Sequence, residues 1–130
     1  MPYHDTIDRE LRLVRTRVWG RVVFDEALEH HVKLRARADF DPTFNQLIDA
    51  TDLEEASIDS EQAYYIGTRP LFSPNSRRAL VVLNAAPFGV AHMVMKHREM
   101  ADTGEKMLVT RDMQEALKFL GISSESSENS

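Results

Sequence analysis

The chain has 130 residues, of which 42% are hydrophobic and 28% are charged, as is typical of one globular domain. Its net charge of −5 argues against general nucleic-acid binding. No stretch approaches the roughly 20 apolar residues of a membrane span, and the lack of cysteine excludes disulfides and thiol chemistry. The N-terminus does not resemble a signal peptide, so we expect a cytoplasmic protein.

The first part of the chain shows a period of two. Apolar and arginine-bearing positions alternate over residues 10–23, which indicates a strand pair or one bent strand with a break at Gly20. Asp25 is expected to cap the helix that follows. Pro42 biases the residue before it away from helical angles, so the helix should end close to residue 39.

The middle of the chain predicts a strand, a loop and a helix. Residues 44–49 are expected to form a short strand, and residues 50–57 a loop. Asp59 and Gln62 have the spacing of a capping box, which predicts a helix that continues to about Gly67.

The central feature is a run of five apolar residues, 79–83, which predicts a strand buried on both faces. Such strands belong to parallel sheets that helices cover. Pro87 suits the first turn of the next helix, which should extend to about Met100. A closing strand at 106–109 and a helix that opens with a second capping box, Asp112 with Glu115, complete the pattern.

These elements predict a single α/β domain over residues 1–122, with a mixed, mostly parallel sheet, an N-terminal hairpin and about four helices. Residues 123–130 are all Ser, Glu and Asn and cannot bury enough apolar surface to become ordered. We therefore expect a disordered tail there.

Three motifs carry a resemblance to a known family: Leu-Ile-Asp at 47–49, Arg-Arg-Ala-Leu-Val-Val at 77–82 and Thr-Arg-Asp-Met-Gln-Glu-Ala-Leu-Lys-Phe-Leu-Gly at 110–121. Their order resembles the SpoIIAA-like group of STAS domains, which are related to anti-sigma-factor antagonists and share a sheet plan with lipid-binding SEC14 domains. The resemblance covers residues 10–122. It implies a bacterial, non-enzymatic regulatory module that contacts a protein partner, such as a regulatory kinase or an anti-sigma-like factor.

The resemblance also implies one modification site. Antagonist STAS domains carry Asp-Ser-Ser-Gly at the start of a helix, and a serine there is phosphorylated. This chain has Asp59-Ser60-Glu61 in the comparable place, so Ser60 is the candidate, although Glu61 replaces a small residue and the glycine is absent. The alternative is that Asp59 and Ser60 only cap the helix.

Open α/β sheets bind ligands at the carboxyl ends of their strands. The residues expected at that edge are Asp49, Asp52, Asn84, Phe88, Thr110 and Arg111. The acidic residues between positions 39 and 61 supply oxygen ligands, but their spacing fits no metal loop. We therefore expect no metal, no cofactor and no catalytic set.

The helix from Pro87 to Met100 is apolar on several faces. Its expected core stripe comprises Ala91, Val94, Met95 and Arg98. The other faces carry Val90, Met93, His97 and Met100. These four residues either fill gaps in the core or form an apolar band that a homodimer would bury.

Three functions remain open from the sequence. The first is a regulatory protein-interaction module, with Ser60 as its switch. The second is a module that binds a small apolar ligand or a lipid, as the similarity to SEC14 domains allows. The third is a metal-dependent enzyme that uses the acidic loop, and the missing catalytic motifs argue against it.

Overall fold

The computed structural model describes residues 2–102 and 104–122. Nine elements follow one another in these residues: β1 (Tyr3–Asp8), β2 (Leu13–Val23), α1 (Phe24–Ala36), β3 (Asn45–Ser57), α2 (Ser60–Gly67), β4 (Arg77–Val82), α3 (Ala85–Ala101), β5 (Lys106–Thr110) and α4 (Met113–Phe119). The described strands form one sheet in the order β1-β2-β3-β4-β5, in which β1 and β2 pair antiparallel and the other neighbours pair parallel. The predicted α/β class, with an N-terminal hairpin and four helices, is confirmed. The predicted tail at 123–130 lies outside the described residues.

Helices α1, α2 and α3 cover one face of the sheet, and α4 covers the other. The first face packs strand residues against all three helices through Val18, Ile48, Val82, Ala27, Ala63 and Val94. The opposite face packs against α4 through Leu47, Val81, Ala116 and Leu117. Successive strand residues such as Leu47 and Ile48 point to opposite faces, so both faces of the central strands are buried.

The N-terminal hairpin differs from the prediction in its position. Its first strand is β1, which lies upstream of the region that showed the period of two, and β2 begins only at Leu13. Polar residues hide β1 in the sequence, and Asp5 can lie on the inner face because it has hydrogen-bond partners there. Gly20, at φ +69°, does not end β2 but coincides with a shift of register against β3.

Two other predictions were wrong in detail. Helix α1 starts at Phe24, and Glu26 accepts a hydrogen bond from the backbone N–H of Val23 at 3.0 Å, so Asp25 lies in the first turn and is not the cap. Strand β3 continues through the predicted loop to Ser57, because the long strand β2 pairs with it up to that residue.

The predicted capping box at α2 is confirmed, whereas at α4 only its Asp112 half is present, because the backbone N–H of Asp112 donates to Thr110 and not to Glu115. The backbone N–H of Gln62 donates to Asp59 at 2.8 Å, and the Gln62 side chain accepts from the backbone N–H of Asp59 at 3.0 Å. Asp112 accepts from the backbone N–H groups of Gln114 and Glu115 at the start of α4. Within the described residues, no helix combines the length and the apolar character that crossing a membrane requires.

Candidate functional site

A pocket of about 130 Å³ lies between the sheet and the layer formed by α1, α2 and α3. Its apolar wall comprises Val18, Val22, Ile48, Leu53, Ile66 and Val94. Four alanines from β3, α1 and α3 also line it: Ala27, Ala50, Ala56 and Ala91. Small side chains on facing elements leave space that larger ones would fill, which explains why the pocket lies here. The lining residues Ala56, Ile58 and Val90 are only half-buried and reach the rim.

Polar side chains form one side of this pocket, starting at the hairpin. The Thr16 hydroxyl donates to the Asp5 carboxylate at 2.6 Å, and Nε2 of His30 lies 2.9 Å from both oxygens of the same carboxylate. The ring of Tyr3 stacks on His30 with 4.2 Å between ring centroids. Asp5, Thr16 and His30 therefore hold β1, β2 and α1 together at the pocket.

The polar chain continues across the sheet. The Gln46 amide donates to Thr16 Oγ1 at 2.8 Å and accepts from Nε of Arg78 at 2.8 Å. Nη1 of Arg98 on α3 donates to Glu105 at 3.0 Å, and Nη1 of Arg78 lies 3.6 Å from the other oxygen of that carboxylate. Thr16, Gln46, Arg78, Arg98 and Glu105 are all at most 9% exposed, so this is a buried network.

Two guanidinium nitrogens in this network are buried without a hydrogen-bond partner among the described residues. They are Nη1 of Arg78 and Nε of Arg98. Both side chains line the pocket, and they are 4% and 2% exposed. Unpaired buried donors are uncommon in folded proteins, so these two atoms require an explanation.

The pKa values reflect the crowding of positive charge. Burial, and then the neighbouring Arg98 guanidinium, lower the pKa of Arg78 to about 9 although Glu105 opposes the shift. Burial also lowers the pKa of Arg98, again against Glu105. Burial and the charge of Arg78 lower the pKa of His31 to about 3, so this ring is neutral at pH 7.

The carboxyl group of Asp5 behaves differently. Burial alone would raise its pKa, but the hydrogen bonds from His30 and Thr16 outweigh that effect and hold the pKa below the ordinary value. Burial, followed by the charges of Glu26 and Asp5, raises the pKa of the Tyr3 hydroxyl. Asp5 is therefore ionised at neutral pH while Tyr3 keeps its proton.

The predicted ligand-binding edge is not assembled as expected. Asp49 and Asp52 lie inside β3 and not at its end, because β3 continues to Ser57. Asp49 accepts hydrogen bonds from the backbone and hydroxyl of Thr51, and Asp52 pairs with Arg17 at 2.8 Å. The protein's own groups therefore occupy both carboxylates.

The remaining edge residues form a separate group. The Asn84 side chain donates to the backbone oxygen of Leu53 at 2.7 Å, and Thr110 accepts from the backbone N–H of Asp112 at 3.0 Å. The Arg111 guanidinium lies 3.9 Å from the centroid of the Phe88 ring. These contacts are also within the protein, and ligand binding at Asn84, Phe88, Thr110 and Arg111 stays a prediction.

The four candidate interface residues of α3 do not form a continuous exposed band. Val90 lines the pocket, Met93 packs against the core, and the His97 ring contacts Tyr64 with 5.3 Å between centroids. Met100 alone of the four is fully exposed, at 83%. The structure thus corrects the premise of an exposed band, and association through α3 stays a prediction.

Ser60 is exposed and is the first residue of α2, directly after the capping residue Asp59. This is the position that a phosphorylation site at a helix start requires, and its modification stays a prediction. Across residues 2–102 and 104–122, no group of three or more His, Asp or Glu side chains is arranged to hold a metal ion.

Sequence reasoning missed the buried polar network. The side chains of Thr16, Gln46 and Arg78 point into the core from three strands. In the sequence, only the alternation of inward and outward positions along each strand could have indicated that these polar residues are buried. A stronger signal was Arg98, a charged residue in the predicted core stripe of α3, since a buried arginine requires an acidic partner.

No protein-family model matches this chain, and no curated protein matches it. A similar solved structure is the crystal structure of an uncharacterised protein of the DUF3478 family with a SpoIIAA-like fold, from Shewanella loihica PV-4. The TM-score is 0.56 and the sequence identity 18%, and the match covers 91% of this chain and 93% of the other. The structure described here therefore has the SpoIIAA-like fold that its sequence motifs predicted.

Proposed function

We propose that this domain is a non-enzymatic binding module that holds one small, largely apolar molecule in the pocket beneath α3. The observation that carries the proposal is the pocket itself, which lies in the core of the domain between the sheet and three helices. Ligand sites are typically concave and apolar, with a few convergent polar groups.

The energetic cost of an empty pocket supports this proposal. A closed, empty core cavity of 130 Å³ would cost about 3 kcal/mol at roughly 24 cal/mol per Å³, which is the upper limit for this pocket because it opens at its rim. Leucine at one of the four alanine positions would reduce that cost, yet the chain keeps Ala27, Ala50, Ala56 and Ala91. A bound molecule would restore the missing contacts without any change in sequence.

The state of the polar groups also favours binding over catalysis. Nε2 of His30 is bound by both oxygens of Asp5 and its ring is stacked on Tyr3, so this side chain has a structural role in the wall of the pocket. The two arginines have no titration near neutral pH. The lining is therefore suited to holding and orienting a ligand.

Filling the pocket tests the function. Ala91→Leu adds three carbon atoms to a lining position, and Ala86→Leu makes the same change on the exposed side of α3. Toluene should shift the NMR signals of Ala50 and Val94 in the wild type and in Ala86→Leu. Ala91→Leu should abolish those shifts while the melting temperature stays equal or rises. Unchanged signals of the pocket residues in the wild type at saturating toluene would refute pocket binding.

Regulation through a protein partner is the second candidate function, and the exposure of Ser60 at the start of α2 favours it. An added phosphate would meet the helix N-terminus but also the charges of Asp59 and Glu61. An anti-sigma-type kinase with ATP should add one phosphate to the wild type and none to Ser60→Ala. Phosphate found only on other residues would refute the switch.

A further inference from the structure

We propose that the molecule bound in the pocket carries one carboxylate group, which binds the guanidinium groups of Arg78 and Arg98. This proposal rests on the binding function proposed above and names the chemical class of the ligand: a small apolar monocarboxylate. Three independent features of the pocket support it, namely its unpaired donors, its charge balance and its size.

The unpaired donors come first. Nη1 of Arg78 and Nε of Arg98 have no hydrogen-bond partner among the described residues, although both atoms are buried. Nε of Arg78 donates to Gln46, and Nη1 and Nη2 of Arg98 donate to Glu105 and to the backbone oxygen of Ile66. A carboxylate has two oxygens that only accept hydrogen bonds, so one group could accept from both donors, at a shorter distance than the 3.6 Å between Nη1 of Arg78 and Glu105.

The charge balance gives the same answer. Two guanidinium groups face a single carboxylate, Glu105, whose side chain is 0% exposed. Their neighbour His31 is neutral, and the Asp5 carboxylate already accepts a hydrogen bond from Thr16 and pairs with His30. One uncompensated positive charge in a buried site favours a ligand with one negative charge.

The size and the walls define the rest of the ligand. A volume of about 130 Å³ is close to that of cavities that hold a single benzene molecule. Aliphatic side chains, including Ile48, Leu53 and Val94, form the remaining wall. The fitting ligands are therefore a benzoate-sized ring or a short branched-chain acid, and not a long acyl chain.

The first test compares two probes of nearly the same shape on the wild-type protein. Benzoate carries the negative charge, and benzamide replaces it with a neutral amide. Calorimetric titration at pH 7 should give a dissociation constant for benzoate at least about tenfold below that for benzamide. NMR shifts of Ala50 and Ala91 should show that both probes occupy the pocket.

A variant then assigns the preference to the arginines. Arg78→Met removes one positive charge and leaves the pair between Arg98 and Glu105 intact. It should weaken benzoate binding about tenfold and change benzamide binding less than about twofold. Arg77→Met, at the exposed neighbouring position of β4, should change neither constant. Should Arg78→Met fail to fold, the comparison of the two probes on the wild type decides alone.

Two outcomes would overturn the inference, and they have different meanings. If benzamide binds as tightly as benzoate, the pocket binds apolar molecules without recognising charge, and only the present inference fails. The inference also fails if neither probe shifts the NMR signals of the pocket residues, or if benzoate binds only outside the pocket. The toluene experiment then decides separately whether the pocket binds any ligand.

Discussion

Substitution of Arg98 by methionine tests whether a buried ion pair holds α3 against the sheet. Nη1 of Arg98 lies 3.0 Å from Glu105, and its Nη2 donates to the backbone oxygen of Ile66 at 3.2 Å. The two side chains are 2% and 0% exposed. Loss of one partner of a buried pair typically costs about 3–5 kcal/mol. The lower end of that range is expected for Arg98→Met, because Nη1 of Arg78, 3.6 Å from Glu105, still compensates part of the carboxylate charge.

Urea unfolding followed by circular dichroism measures this cost as a loss of unfolding free energy. Domains of this size typically have about 5–15 kcal/mol of stability, so the variant should still fold. The matched control is Lys96→Met on the same helix, whose ion pair with Glu99 at 3.9 Å is exposed. That control should lose at most about 1 kcal/mol. The double variant Arg98→Met with Glu105→Gln should lose less than the sum of its single variants.

The result that would refute the reasoning is a loss for Arg98→Met within the range of the Lys96→Met control. Such a result would mean that Glu105 finds water or Arg78 as an adequate partner once Arg98 is removed. Additivity in the double variant would lead to the same conclusion, because contacting charges should couple.

Three further predictions concern packing, pH and association. Gly67→Ala should lower the melting temperature, because the added Cβ would lie 2.7 Å from Cβ of His97, and a normal melting temperature would show that the helices can separate freely. The pKa of Asp5 is lower in the folded state than the unfolded value of about 3.9, so ionised Asp5 stabilises the fold fully above that value. This stabilisation is lost as pH falls through the folded pKa. In Asp5→Asn, the midpoint of urea unfolding should therefore fall less steeply at acid pH than in the wild type. Met93→Asp should destabilise the monomer because Met93 packs against the core. Met100→Asp should leave stability unchanged and abolish any dimer seen by analytical ultracentrifugation, because Met100 is exposed. A dimer that Met100→Asp does not affect would argue against association through α3.

Local chemistry explains which parts of the fold the sequence could predict. The capping box at Asp59 acts within four residues, and the apolar run of β4 is complete in itself. The extent of β3 is different, because its second half is acidic and becomes a strand only through pairing with β2. Strand β1 likewise needs the partners of Asp5 to place a carboxylate inside. These features depend on contacts that no short segment contains.

The pocket was beyond local reasoning for the same reason. Its four alanines come from three elements, and each alone looks like an ordinary small residue. The link from Arg78 to Gln46 joins residues 32 positions apart, which no spacing rule detects. Arg98 was placed correctly in the core stripe of α3, but its acidic partner became visible only in the folded structure.

The extra length of β3 has a consequence for aggregation. Pairing with β4 ends at Ala50, so the remaining residues of β3 present backbone groups on that side that another strand could join. One of these groups, the backbone oxygen of Leu53, already accepts a hydrogen bond from the Asn84 side chain. Glu54 is exposed next to it, and its negative charge would repel the same segment of a second molecule, whereas Glu55 pairs with Arg21 at 3.3 Å. We therefore expect Glu54, together with the hydrogen bond from Asn84, to disfavour pairing between chains along this strand edge.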